Sequence, residues 1–430
     1  MVMDFLETKD GMLYIDGVSA QDLCEKYGTP LFVYSEKAII SAIEHYKNSI
    51  NEYYNGNGMV LYASKAFSCK EIYRIAAAEG IGVDCVSAGE IFTALSAGFP
   101  AEKIFFHGNN KTEDELRYAL KNNVGHVVAD NFYELDMLDR IAGEFGITVK
   151  TLLRITPGID AHTHDFIKTG KIDSKFGFAI ATGDAMKAAE TAASKQNLSL
   201  TGFHCHIGSQ IFETEPFVEA ARVMMKFISD VKSKTGACIS ELNLGGGFGI
   251  KYTEDDHPLE YTAFLREVSK EIKALAKAYS VDMPAVFIEP GRSIVAPAGL
   301  TLYRIGGVKE IKDVRSYVSV DGGMCDNPRY ALYGSKYTFL VANRMDEPAD
   351  YIATIAGKCC ESGDLLAENV KIAHPNQGDI LAVLATGAYN YSMASNYNRI
   401  PRPAAVMVKD GSARVIIRRE SYEDLIKNDV

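Results

Sequence analysis

Lys65 follows the apolar run MVLYAS directly, in the segment YASKA. A lysine at an apolar mouth is a candidate amine nucleophile once desolvation lowers its pKa. The plainer alternative is a solvated lysine at a strand end. Further along, GGGFG follows ELNL and opens with Gly245, Gly246 and Gly247. Three glycines let the backbone approach a ligand and turn N–H groups toward a phosphate, or they make a flexible turn. GFHCHIGSQ carries His206, whose imidazole can stack on a planar ring, and Ser209, a phosphate partner. A satisfied core histidine is the other reading. The run AVFI ends in Glu289, Pro290, Gly291 and Arg292. A carboxylate there is costly unless paired. A protonated pyridine-type nitrogen would pair it, and so would a structural salt bridge.

Three more clusters lie in the last third of the chain. DNPRYALYG (326–334) contains Arg329 and Tyr333, GKCCESGD (357–364) contains Cys360 and Glu361, and GAYNYSMASNYN (387–398) contains Tyr389. A thiol beside a carboxylate suggests a proton donor next to a substrate-binding group. A buried small residue and a solvated glutamate are the alternative. HTHD (162–165) has poor spacing for a metal and no evident third ligand, and reads better as a polar loop.

These groups need a scaffold, and the hydrophobic pattern supplies one. Ile39, Ile43, Tyr46 and Ile50 recur at three or four residues, which predicts a helix from Ser35 to about Tyr54. Eight strand-like runs follow: 59–64, 81–87, 103–108, 126–130, 150–155, 200–207, 241–245 and 285–290. Helical patterns such as KEIYRIAAAEG and EDELRYALKNN separate them. Such alternation implies parallel strands with helical crossovers. The expected fold is a (β/α)8 TIM-type barrel, with a doubly wound open sheet as the competitor. Barrels place catalysis at the C-terminal strand ends. The runs here end in or near Lys65, Asp84, His107, Arg154, His204, His206, the glycine triplet and Glu289. After Pro290 the texture becomes β-rich, as in SYVSVDGG and DILAVLATG. The expected organisation is therefore a barrel over 35–290 and a C-terminal β domain over 291–430, sandwich- or barrel-like. Strands in residues 1–34 are expected to join the β domain.

Composition bounds the function. The 430 residues hold 45 Lys and Arg against 56 Asp and Glu, a formal net charge of -11. That argues against general nucleic-acid binding and against a polybasic membrane surface. No apolar run reaches the length of a membrane span, and MVMDFLETKDG does not read as a secretory signal. The eight cysteines form no C-x-x-C pair, which favours a cytoplasmic protein with reduced thiols and no structural metal.

Taken together, the chain resembles the pyridoxal-phosphate decarboxylases of the alanine-racemase-like barrel class, from about residue 10 to 425. YASKA, DCVSAGE, FHGNNKT, ITPGIDAHTH, TGKIDSKFGF, GFHCHIGSQ, NLGGGFGI, EPGRSIVA, CDNPRYALYG, CCESGD and GAYNYSMASNYN occur in the order of that class. HIGSQ and CESGD resemble the members that convert meso-2,6-diaminopimelate to L-lysine and CO2, the last step of lysine synthesis.

The resemblance implies pyridoxal 5'-phosphate as cofactor, held covalently by the Lys65 amine. His206 would stack on its ring and Glu289 would pair with its ring nitrogen. Asp84, Ser209, Gly245, Gly246, Gly247, Gly291, Arg292 and Tyr389 would complete the cofactor's surroundings. Arg292, Arg329, Tyr333 and Tyr389 would bind the substrate, with the arginines on its distal carboxylate and Glu361 on its distal amine. Cys360 would be the proton donor. A homodimer is implied, with Cys360 and Glu361 serving the partner's site. A glutamate at position 289 suits decarboxylation, whereas an arginine there would suit racemisation. Lys358, Cys359, Phe248 and Ala405 depart from the common pattern, and Cys359 leaves open which thiol acts. Two readings stay open beside this one. One is a same-fold decarboxylase of ornithine, lysine, arginine or carboxynorspermidine. The other is a non-catalytic cofactor-binding protein. The Gly, Thr and Lys content of residues 157–176 would allow mobility.

Overall fold

The computed structural model describes residues 3–159 and 174–430. HTHD and most of the 157–176 segment lie outside them. The chain divides into two compact units, residues 42–249 with 258–291, and residues 1–41 with 250–257 and 292–430.

The first unit is a closed parallel barrel. Its strands are β1 (Gly58–Ala63), β2 (Gly82–Cys85), β3 (Ile104–Phe106), β4 (His126–Ala129), β5 (Val149–Thr156), β6 (Leu198–His204), β7 (Glu241–Asn243) and β8 (Ala285–Ile288). Each pairs in parallel with the next, and β8 pairs with β1 to close the ring. Closure rules out the open sheet. Leu61, Phe105, Val128, Leu152 and Phe287, each from a different strand, form one buried cluster. Interior layers of this kind fill a barrel and leave chemistry to its rim.

The loops after the strands end in helix caps. Ser87 accepts from the Glu90 amide, Asn131 from the Glu134 amide, and Thr112 forms a capping box with Glu115. Each satisfies amides that a helix start leaves bare, so each loop is short and its strand end is fixed in place. The helix before β8 runs Tyr261–Tyr279, with Glu260 at its cap position.

The second unit is mostly sheet. The long strand Gly299–Ile311 pairs with Leu31–Ser35, Arg315–Val320 and Ile380–Leu384. Ala404–Lys409 adds to Leu31–Ser35 in parallel. Alternate residues Leu300, Leu302, Val406 and Val408 are buried with Leu31 and Val33 in one core. Tyr303, Ile305, Val318, Val320 and Ile355 anchor another.

Candidate active site

Lys65, Asp84, His107, Arg154, His204, His206 and Glu289 line one cavity of about 360 Å³ at the C-terminal end of the barrel strands. That volume suits a small ligand. Lys65 stands in the short turn Ser64–Ala66 after β1 and is exposed. Glu289 follows β8 and is 7% exposed.

Glu289 is held on both oxygens. Asn243 Nδ2 donates to Oε1 at 2.7 Å. His107 Nε2 lies 2.8 Å from the same oxygen, off the line of a good hydrogen bond. His204 Nε2 lies 3.2 Å from Oε2. Burial alone would raise the Glu289 pKa, but the two imidazoles outweigh it and hold the carboxyl well below its ordinary range. His204 is pushed down to about 4, mainly by burial, against the pull of the Glu289 charge that its Nε2 faces. The result is an anion fixed at the cavity wall.

Asp84 is buried at the end of β2, with Oδ1 4.0 Å from His107 Nε2. Burial raises its pKa. Its Oδ1 has no hydrogen-bond partner among the described residues. Arg154 stacks 4.1 Å from the Phe176 ring and faces Asp130 at 3.8 Å.

His206 lies just past the end of β6. Its Nδ1 accepts the Gly246 N–H at 3.3 Å, which puts its proton on Nε2. Desolvation, with repulsion from Lys65 and Arg154, keeps its pKa well below the imidazole norm. It therefore presents a neutral flat ring. Ser209 is half-buried in the next turn. That turn is knitted to the glycine loop, because the Ile211 amide donates to Gly247 O and the Gly249 amide to Ile211 O.

The glycine triplet differs from a three-amide cradle. The Gly245 amide donates to Asn243 Oδ1 at 2.9 Å, and the Gly246 amide is taken by His206. What the turn needs is backbone proximity. A Cβ on Gly246 would lie 2.1 Å from Glu289 O, and one on Gly247 2.4 Å from Gly208 O. Gly245 and Gly247 also have positive φ, 67° and 108°. The triplet thus draws the ends of β6, β7 and β8 together, which sets His206 and Glu289.

The set fits the expected cofactor. An amine to hold an aldehyde, a buried anion for a ring nitrogen and a neutral imidazole face are present in one cavity. The free Asp84 oxygen adds an acceptor.

The other expected residues lie in the β-rich unit. Arg292 and Arg329 are 7% and 9% exposed. Their guanidinium carbons sit 4.7 and 5.5 Å from the centre of the Tyr389 ring. Arg292 also donates to Tyr252 Oη at 2.6 Å, and Arg329 to Ser335 Oγ at 3.2 Å. Tyr333 lies 5.3 Å under Arg329 and is partly exposed. Arg329 makes no ion pair among the described residues, and its Nε has no hydrogen-bond partner there. A buried cation in that state calls for an anion. Tyr389 has φ 65°, an uncommon conformation for a bulky residue and a frequent mark of functional sites.

Cys360 and Glu361 are exposed on the 357–364 loop. Cys359 is buried, and burial raises the pKa of its thiol. The sequence reading did not single out Asn243. The only available signal was a polar residue inside the short apolar strand before the glycines. His107 and His204 were noted as strand-end groups without their role on Glu289.

Residues 37–296 match the family model described as pyridoxal-dependent decarboxylase, pyridoxal binding domain. The chain is similar to diaminopimelate decarboxylase of Bacillus subtilis (strain 168), with 49% identity over 99% of this chain and 96% of the relative. It is 46% identical to the Staphylococcus aureus (strain COL) enzyme of the same name, over 98% of each. It is also similar to the crystal structure of diaminopimelate decarboxylase from M. jannaschii in complex with L-lysine. There the TM-score is 0.92 and the identity 36%, covering 100% of this chain and 99% of that one.

Proposed function

This chain belongs to the diaminopimelate decarboxylase family of pyridoxal-dependent decarboxylases, and from that premise we propose that it converts meso-2,6-diaminopimelate to L-lysine and CO2. The observation that carries the reading is one cavity holding the Lys65 amine and the doubly supported Glu289 carboxylate.

Pyridoxal 5'-phosphate, when bound, supplies the electron sink for loss of CO2. Lys65 holds the cofactor through its amine. Glu289 keeps a proton on the ring nitrogen, and its low pKa supports that role. His206 covers the ring face. Asp84, Ser209, Gly291, the 245–247 turn, Arg292 and Tyr389 would complete the cofactor's surroundings. Arg292, Arg329 and Tyr333 bind the distal carboxylate, which the unpaired burial of Arg329 supports. Glu361 binds the distal amine. Cys360 delivers a proton to the carbon that has lost CO2.

The working form is a homodimer in which each chain lends Cys360 and Glu361 to its partner. Their exposure on a single chain supports this. No helix among the described residues is long and apolar enough to cross a membrane. The eight free thiols support a cytoplasmic location.

Lys65→Ala tests the reading. The variant loses CO2 release from diaminopimelate together with the visible absorbance of the covalently held cofactor. Retention of both would refute it.

A further inference from the structure

The 357–364 loop is held by groups that no part of the chemistry above requires. The Cys360 amide donates to Asn398 Oδ1 at 2.7 Å. The Cys359 amide donates to Asp364 Oδ2 at 2.6 Å, and the Met324 amide takes Asp364 Oδ1 at 2.6 Å. Asp364 is 3% exposed. Gly323 and Gly357 leave the space for it, since a Cβ on Gly323 would lie 2.5 Å and one on Gly357 2.2 Å from the nearer of its carboxylate oxygens. The Ser395 amide donates to Cys325 O at 2.8 Å, and the Lys358 amide to Gly322 O at 2.9 Å. The three loops around Cys325, Cys360 and Asn398 therefore form a closed triangle of backbone amides that donate to side-chain and backbone carbonyl oxygens.

Two consecutive amides, those of Cys359 and Cys360, are thus each fixed by one side-chain oxygen. The Glu361 amide donates to Cys359 O at 2.8 Å and holds the next peptide plane, so the Cys360 thiol keeps little freedom beyond its own side-chain torsion. Asn398 has φ 54°, a conformation that asparagine tolerates better than most residues. Its carbonyl oxygen is the acceptor that reaches the Cys360 amide.

We propose that Asn398 and Asp364 are positioning residues that aim the Cys360 thiol for proton delivery. The inference rests on Cys360 being the proton donor. Proton transfer needs donor and acceptor within hydrogen-bond reach, so a loosened loop slows that step while leaving the cofactor in place.

The test uses cofactor-loaded enzyme and diaminopimelate. Asn398→Gly removes the acceptor and still accepts positive φ, Asn398→Asp keeps both, and Cys360→Ala is the reference. Asn398→Gly is expected to lower kcat about tenfold, the worth of one lost hydrogen bond to a reacting loop. It should also enlarge the solvent deuterium isotope effect, because protonation becomes slower, with cofactor absorbance unchanged. Asn398→Asp should restore kcat and the isotope effect. Asp364→Asn should behave like Asn398→Gly if it folds, and the Asn398 pair decides the matter if it does not. Unchanged kcat and isotope effect in Asn398→Gly, with activity lost in Cys360→Ala, overturns the positioning role alone. Full activity in Cys360→Ala overturns the proton-donor reading and the positioning role with it.

Discussion

Asn243 Nδ2 donates to Glu289 Oε1 at 2.7 Å while Asn243 Oδ1 accepts the Gly245 amide at 2.9 Å. One buried side chain therefore ties the ring-nitrogen partner to the glycine turn, and the amide is used at both ends. Asn243→Ala removes both bonds from a dry site, where a net loss of about 1–3 kcal/mol is usual. The expected outcome is a fall in kcat of roughly ten- to a hundredfold with the cofactor still bound. Glu289→Gln should cost more, at least about a hundredfold, because the amide cannot hold a proton on the ring nitrogen. Kinetics with cofactor absorbance as the control checks both. Equal, small effects would mean that the carboxylate charge is not used.

Lys111 and Glu134 form a buried ion pair at 2.7 Å, each side chain 1% exposed. Lys111 Nζ also donates to Gly108 O at 2.8 Å and Val128 O at 2.7 Å, so all three ammonium protons are placed and the end of β3 is tied to β4. Lys111→Met leaves an uncompensated buried carboxylate and should cost about 3–5 kcal/mol. Lys111→Met with Glu134→Leu should recover a large part of that. Denaturant unfolding of the three proteins measures it. A double variant no more stable than the single would contradict the assignment.

Cys359 and Cys360 are neighbours in opposite surroundings, one buried and the other exposed. Cys360→Ala should lower activity by at least about a hundredfold, and Cys359→Ala only a few-fold through packing. Mixing inactive Lys65→Ala with inactive Cys360→Ala subunits then reports the dimer. Random reassociation should restore about a quarter of wild-type activity, since a hybrid dimer keeps one intact site. No recovery, with exchange of subunits demonstrated, would place Cys360 in its own chain's site.

Asp326 is buried beside Tyr303, the Gly323 amide and the Cys325 thiol. Burial raises its pKa from 3.8 to about 7. The folded state thus binds the proton more tightly than the unfolded chain does. The stability from this group is present in full below pH about 4 and is lost as pH rises to about 7. Asp326→Asn carries no such proton. The wild type should therefore lose stability relative to the variant between pH 4 and 7, and thermal unfolding of both across that range checks the sign. A difference independent of pH would show that Asp326 is ionised throughout.

The barrel was legible because its signals are local. Most of β1 to β8 are rich in apolar residues, and Lys65, His206 and Glu289 stand at or just past the ends of their strands. Asn243 was not legible, since its role depends on a carboxylate 46 residues away. Lys111 and Glu134 lie in polar stretches of the sequence, and only the fold makes them a buried pair. The same holds for residues 250–257, which follow the glycine turn yet pack with the β-rich unit, where Tyr252 meets Arg292. Residues 245–247 offered a ligand-facing backbone or a flexible turn in the sequence, and the fold adds a close approach between strand ends.

The substrate is decided by CO2 release from the cofactor-loaded enzyme offered meso-diaminopimelate, ornithine, L-lysine, D-lysine and arginine in parallel. The account predicts release from diaminopimelate alone and a loss of at least about a hundredfold in kcat/KM on Arg329→Met, because a buried arginine–carboxylate pair is removed. Preference for a substrate without a distal carboxylate, or an Arg329→Met variant as active as wild type, would contradict it.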